Sequence, residues 1–327
     1  MPAPFTRRFL ALAAAALAAC AGQAHAADPY PDRPISIVVP LPPGSFADSV
    51  ARALGDELSG VLKQPVIVEN KPSASQIVAS NYLARSQPNG YTLMIGVMPN
   101  VIAPRMLSGQ AFRGNTDFKA VSHVLYIASV LAVSPKVSAN NAPEFMELLK
   151  KNPGKYMYGS SGIGTPSHLF QASLNSIAGT ESVHVPYKAF QTIMTDIMTD
   201  TVQYGMMPYS VMQFVQQGKM KVLGVGAPRR DPAYPDIPTF DEQGIKGIDT
   251  TMHYMLVTNK DTPPEIVNRL NTAVNTVLAR ESFAAKFKAF GGVTVTPPHT
   301  PARAAEVMKR EDERFAPLIR EGKVVLE

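Results

Sequence analysis

Tryptophan is absent from this 327-residue chain, and cysteine occurs once, at Cys20. A single thiol excludes an intramolecular disulfide and any multi-cysteine metal site. Lysine and arginine are spread without a run, and no ladder of basic and aromatic residues appears, so the formal charge of +5 is not a nucleic-acid signature. Membrane-length apolar runs are missing as well. The apolar stretch Phe9 to Ala19 is too short to span a bilayer, and it sits between Arg7-Arg8 and the small-residue pattern Ala24-His25-Ala26. Residues 1–26 are therefore expected to be a signal peptide removed after Ala26, leaving a soluble, exported protein without a thiol. Because the leader carries two arginines and no acid, its loss lowers the net charge from +5 to +3. A second cleavage pattern, Leu17-Ala18-Ala19-Cys20, leaves lipid anchoring at Cys20 as the alternative. Thr6-Arg7-Arg8-Phe9-Leu10 also approaches a twin-arginine export signal, though no residue separates the arginines from Phe9.

What is present is a chain long enough for two α/β lobes, with 45% hydrophobic residues to fill their cores. Short β-branched runs alternate with helical periodicity, which predicts α/β layers with mostly parallel strands. Expected strands are Ile35 to Val39, Val66 to Glu69, Tyr91 to Val97, Val130 to Val133, Tyr156 to Tyr158, Val183 to Val185 and Val222 to Val225. Helices are expected after Ser45, with Val50, Leu54, Leu58 and Val61 on one face, and after Thr262-Pro263-Pro264-Glu265, where a capping residue, a proline and an acid mark a start. A C-terminal amphipathic helix begins near Pro301. No repeat of fixed period is present, so two lobes rather than a solenoid are expected.

Two loops could carry chemistry. Tyr158 to His168 is rich in glycine and hydroxyls between a strand and a helix; small residues let backbone approach a ligand, and amides at a helix start favour an anion. A dinucleotide loop would need glycine at Ser167, a P-loop would need lysine at Thr165, and neither Ser160 nor Ser161 has the flanking glycines of a nucleophile elbow. The reading is an anion cradle, against the plain alternative of a structural turn. Ser45-Phe46-Ala47-Asp48 has capping-box spacing, and a helix cap competes with a ligand contact there. His168 and His184 lack paired ligands at helical spacing, so a helix-start donor and a polar strand residue are expected of them. Most of the fifteen methionines are expected to fill the core, with Met206-Met207 kept in view.

Tyr30-Pro31-Asp32-Arg33-Pro34-Ile35, Pro42-Pro43-Gly44, Val68-Glu69-Asn70-Lys71-Pro72, Pro88-Asn89-Gly90-Tyr91-Thr92-Leu93, the Gly159 to His168 loop, His184-Val185-Pro186-Tyr187-Lys188 and Ala233-Tyr234-Pro235-Asp236-Ile237-Pro238-Thr239 resemble, in order, the extracytoplasmic receptors of tripartite tricarboxylate transporters, the Bug family. The resemblance covers nearly all of the chain after the leader. It implies a two-lobed periplasmic-binding-protein fold of type II character with the ligand cleft between lobes. Lobe 1 would comprise 27–128 and 251–327, and lobe 2 would comprise 129–250. It further implies a monomer that binds a small carboxylate and passes it to integral membrane subunits of a transporter, with no catalytic residue, cofactor, metal or nucleic acid. Contacts carried over by resemblance are Pro43, Gly44, Ser45, Phe46 and Asp48; Ser75 and Gln76; Ser160, Ser161, Gly164, Thr165, Ser167 and His168; and Tyr187, Ala189 and Met207.

Three departures from the family pattern bear on the ligand. Gly44-Ser45-Phe46-Ala47 stands where Gly-Gly-Ser is usual, which places a ring at or near the cleft. Ser73-Ala74-Ser75-Gln76 replaces the usual glycine-glycine-asparagine loop. Met206 or Met207 stands where amino-acid-binding members carry an aspartate, and loss of that anion disfavours an ammonium group. The expected ligand is an aromatic or dicarboxylic acid, terephthalate being one candidate. Two other classes compete: a receptor feeding a membrane sensor, and a hydrolase using Ser160 or Ser161 with His168, which would need an orienting carboxylate.

Overall fold

The computed structural model describes residues 30–73, 76–98, 114–163, 165–188, 190–288 and 290–320, with side chains to Phe315 in the last helix. The expected leader with Cys20 lies outside the described residues, as do Ser75, Gly164 and Ala189. No helix among the described residues is long and apolar enough to cross a membrane.

The chain begins with β1 (Ile35–Val39), α1 (Phe46–Leu62), β2 (Val66–Asn70), α2 (Ile77–Ala84), β3 (Thr92–Met98) and β4 (Phe118–Ala128). Through Ser129 it enters β5 (Val130–Val133), then α3 (Ala142–Lys151), β6 (Met157–Ser160), α4 (Pro166–Ala178), β7 (Val183–Pro186), α5 (Phe190–Thr199), β8 (Tyr204–Met207), α6 (Met212–Gln216) and β9 (Lys221–Val225). It returns as β10 (Thr251–Asn259), α7 (Pro264–Leu278), α8 (Glu281–Lys288), β11 (Gly292–Thr294) and α9 (Pro301–Arg320).

Two sheets result, ordered β11-β4-β10-β3-β1-β2 and β7-β6-β8-β5-β9. They are mixed, which corrects the expectation of mostly parallel strands. β1 pairs in parallel with β2 and β3, and β6 with β7 and β8, as βαβ connections require. The strands that cross between lobes run the other way. β10 arrives from the second lobe and inserts antiparallel between β3 and β4, while β5 enters the second lobe antiparallel to β8 and β9. In open α/β sheets ligand loops follow the carboxyl ends of parallel strands, here β1 and β6.

Each lobe buries its own apolar clusters. Val50, Leu54 and Leu58 of α1 pack against Ile37, Leu93 and Ile95 of the first sheet. Leu131, Leu169, Phe170 and Tyr204 fill the second. At α7, Thr262 does not cap: its hydroxyl bonds Thr258 at 3.1 Å and Pro263 takes the cap position without a side-chain bond. β4, the longest strand, was not expected as a strand; Ser122 and His123 are buried in its middle and interrupt its apolar run.

The two crossings lie side by side. The Ser129 amide donates to Thr250 at 3.0 Å, and the Thr250 hydroxyl returns a bond to the Ser129 carbonyl at 2.5 Å. Gly226 abuts them so closely that an added Cβ would lie 2.6 Å from the Thr250 nitrogen. α9 spans the junction, with Ala304, Val307 and Met308 in a first-lobe cluster and Phe315 in a second-lobe cluster with Phe170.

Candidate ligand-binding cleft

At the carboxyl end of β1 the loop Pro42–Ser45 turns into α1. Ser45 caps the helix, its hydroxyl accepting from the Asp48 amide at 3.3 Å, and Gly44 adopts φ +80°, a conformation suited to glycine. Pro43 and Gly44 are exposed. Asp48 is buried, and both of its carboxylate oxygens are occupied. Oδ2 accepts from the Gly44 amide at 2.9 Å and from Arg52 Nε at 3.0 Å, while Oδ1 accepts from Asn70 Nδ2 at 2.9 Å. Burial raises the Asp48 carboxyl, but the bonds from Arg52, Gly44 and Asn70 and the charge of Arg52 outweigh it and hold it below the usual carboxylate range. Asp48 thus braces the loop rather than offering itself to a ligand.

Phe46, the first residue of α1, is half-buried. Its ring meets Tyr254, Phe287 and Phe290 edge to face, with centroids 5.1, 5.7 and 5.8 Å away. Phe290 is 58% exposed, so this aromatic cluster reaches the surface.

Gln76 precedes α2 in a left-handed conformation, φ 59°, and is 2% exposed. Its side-chain amide has no hydrogen-bond partner among the described residues. A buried primary amide without partners costs free energy, which singles this side chain out on the loop that the resemblance assigns to ligand binding.

In the second sheet, β6 ends at Ser160 and a hydroxyl-rich loop leads into α4. Ser167 Oγ accepts from the Ser161 amide at 3.0 Å and lies 3.1 Å from Ser161 Oγ and 3.2 Å from Thr165 Oγ1. Thr165 holds the cap position of α4, yet its side chain makes no capping bond; the hydroxyl donates instead to the Gly162 carbonyl at 2.7 Å. α1 satisfies its own amino end, whereas α4 leaves its first turn uncapped by a side chain.

Ser160 is fully buried, and its hydroxyl lies 2.6 Å from His184 Nε2. The His184 ring stacks on His168, at 4.0 Å with planes within 7°, and lies 4.9 Å from the ring of its strand neighbour Tyr158. Burial pushes both imidazoles down, His168 to about 4 with the neighbouring His184 adding to the effect. Among the described residues no carboxylate is recorded on His184, so the serine and histidine form a buried structural pair without the third member of a triad. Sequence reading assigns His184 only a polar strand role; its register opposite Tyr158 in β6 is what delivers it to Ser160.

Tyr187 follows β7. Its amide donates to the Ser160 carbonyl at 2.8 Å and its hydroxyl to Asp196 at 2.6 Å, so the ring is fixed by α5. Met207 is fully buried among Ile193, Val130 and Tyr209. Met206, its neighbour in β8, is fully buried as well. Arg52 and Asn70, which secure Asp48, were missed by sequence reading, although the Asp48 and Arg52 spacing of four on a helix was a visible signal.

Two strand-end loops, one leading into a braced helix start and one into an open helix start, fit the binding of a small anion. A family model described as the tripartite tricarboxylate transporter family receptor matches residues 50–323. The chain belongs to that receptor family. It is 34% identical over 274 residues to a UPF0065 protein of Bordetella pertussis, spanning 83% of this chain and 84% of that protein. Among solved structures it is similar to the periplasmic binding protein BugD, with 28% identity, TM-score 0.71, and 90% of this chain and 99% of that one covered. It is also similar to MatC from Rhodopseudomonas palustris with bound malate, with 25% identity, TM-score 0.73, and 89% and 100% covered. As a family receptor the protein is a periplasmic solute-binding component of a tripartite transporter, not an enzyme.

Proposed function

We propose that this receptor captures an aromatic or dicarboxylic acid without an ammonium group, a terephthalate-like acid being one candidate, and delivers it to the membrane subunits as a monomer. The lobes in this reading are 27–128 with 251–327, and 129–250. The observation that carries it is the uncapped start of α4 at the end of β6, where first-turn amides and the hydroxyls of Ser161, Thr165 and Ser167 are gathered. A helix start of this kind stabilises a carboxylate through partial positive charge without desolvating a full cation. Gln76, with its unpaired buried amide, supplies a second polar contact from the first lobe.

The apolar character of the ligand rests on two further observations. β8 presents buried methionines where an ammonium group would need an anion. The Phe46 cluster offers aromatic edges, and Phe290 extends it to the surface. The malate found in MatC is in keeping with a carboxylate in this fold.

Thermal shift of the protein against mono-, di- and tricarboxylates, aromatic acids and amino acids tests the reading. A ligand at 100 times its dissociation constant stabilises the fold by about 2.7 kcal/mol. Stabilisation by aromatic or dicarboxylic acids and none by amino acids is expected. A response confined to amino acids removes the ligand assignment.

A further inference from the structure

Three of the chain's six histidines, His123, His253 and His299, meet where the lobes join, far along the sequence from one another. With Asp249, Glu311 and Arg314 they line a cavity of about 500 Å³. His123 Nε2 and His253 Nδ1 lie 3.2 Å apart. In the tautomer that carries its proton on Nδ1 toward His123, His253 presents Nε2 as a lone pair. The lone pair lies 2.9 Å from the Thr251 hydroxyl and 3.8 Å from Glu311 Oε1. Thr251 has one hydroxyl proton, and Asp249 Oδ1 already accepts it at 2.5 Å. Glu311 is 3% exposed, and its Oε2 has no partner among the described residues. Arg314 reaches Glu311 Oε1 at 3.0 Å and comes within 3.5 Å of Asp249 Oδ2, but leaves that second oxygen of Glu311 unmatched. Ligand atoms of Asp249, His253 and Glu311 lie within 4.8 Å of one another.

We propose that Asp249, His253 and Glu311 bind one divalent first-row transition ion, such as Zn²⁺, at the junction of the lobes. One imidazole nitrogen and two carboxylates form a donor set suited to such ions. His123 holds His253 from behind through Nδ1, the arrangement that orients metal-binding imidazoles. The expectation of no metal site rested on sequence spacing; Asp249 belongs to a crossing, His253 to β10 and Glu311 to α9, and only the fold brings them together. A bound ion would tie α9 to the crossing segment and so act on the relative setting of the lobes. This site is independent of the carboxylate cleft.

The untagged protein, stripped with a chelator, is titrated with Zn²⁺ against a chromophoric competitor and with Co²⁺ followed by its visible absorption. One ion per chain is expected, lost in His253→Ala and in Glu311→Gln. His123→Asn is expected to weaken binding by about 10- to 100-fold. Arg314→Gln, which removes the resident competing cation, tightens it. Asp249→Asn, at a half-exposed side chain, weakens binding and serves where a buried variant fails to fold, with circular dichroism checking each. Absence of stoichiometric binding to the wild type, or binding unchanged in the folded ligand variants, overturns the site.

Discussion

Asp48 holds Asn70 across the base of the first-lobe loop, its Oδ1 accepting from Asn70 Nδ2 at 2.9 Å while that same nitrogen also reaches the Leu41 carbonyl at 3.0 Å. The amino end of α1 and the carboxyl end of β2 are thereby tied to one carboxylate. Asp48→Ala leaves Asn70 and the Gly44 amide short of an acceptor, at a cost of roughly 1.5–3 kcal/mol. Arg52→Ala, at an exposed guanidinium screened by solvent, is expected to cost clearly less. Urea denaturation midpoints of the two variants check the contrast.

The same carboxylate makes stability depend on acidity. Its folded-state pKa lies below the ordinary value of 3.8, so the unfolded chain takes up the proton first as pH falls. The contribution is complete above the unfolded value and is lost as pH drops through the folded one. Wild type is expected to lose stability below about pH 4, and Asp48→Asn to lose less over the same range. Melting temperatures measured from pH 6 to pH 3 decide it.

His168 produces a second, separate window. Burial and the neighbouring His184 lower it from 6.5 to about 4, so the unfolded chain binds more protons between those values. Stability therefore falls on acidification from about pH 6.5 to 4. His168→Phe, which keeps a ring on His184, is expected to flatten that slope. Chemical denaturation at pH 5 and pH 7 measures it, and an unchanged slope assigns the dependence elsewhere.

Phe46 separates packing from recognition. Because its ring is half-buried against Tyr254, Phe287 and Phe290, Phe46→Ala should cost less than the about 3–5 kcal/mol of a fully buried phenylalanine. If the ring also meets ligand, calorimetry will show aromatic acids losing about 0.5–1.5 kcal/mol of binding while small aliphatic diacids hold theirs. Equal affinity of wild type and variant for aromatic acids would leave Phe46 a packing residue.

Local signals determined much of this protein in advance. β-branched runs placed β1, β5 and β7 almost to the residue, and Ser45 with the apolar spacing of Val50, Leu54 and Leu58 marked α1, because capping and periodicity depend on neighbours in sequence. Ordered motifs from Tyr30 to Thr239 sufficed for the receptor family. What depended on distant partners was not legible. The antiparallel course of β10 and β5 follows from the chain passing twice between lobes, and buried Ser122 and His123 concealed β4. The full burial of Met207 and the partners Asn70 and Arg52 on the Asp48 carboxylate are likewise set by residues distant in sequence or by packing. The pairing of Ser160 with His184, and of His253 with Asp249 and Glu311, was decided by tertiary structure alone, since strand register and helix placement set which side chains share a space.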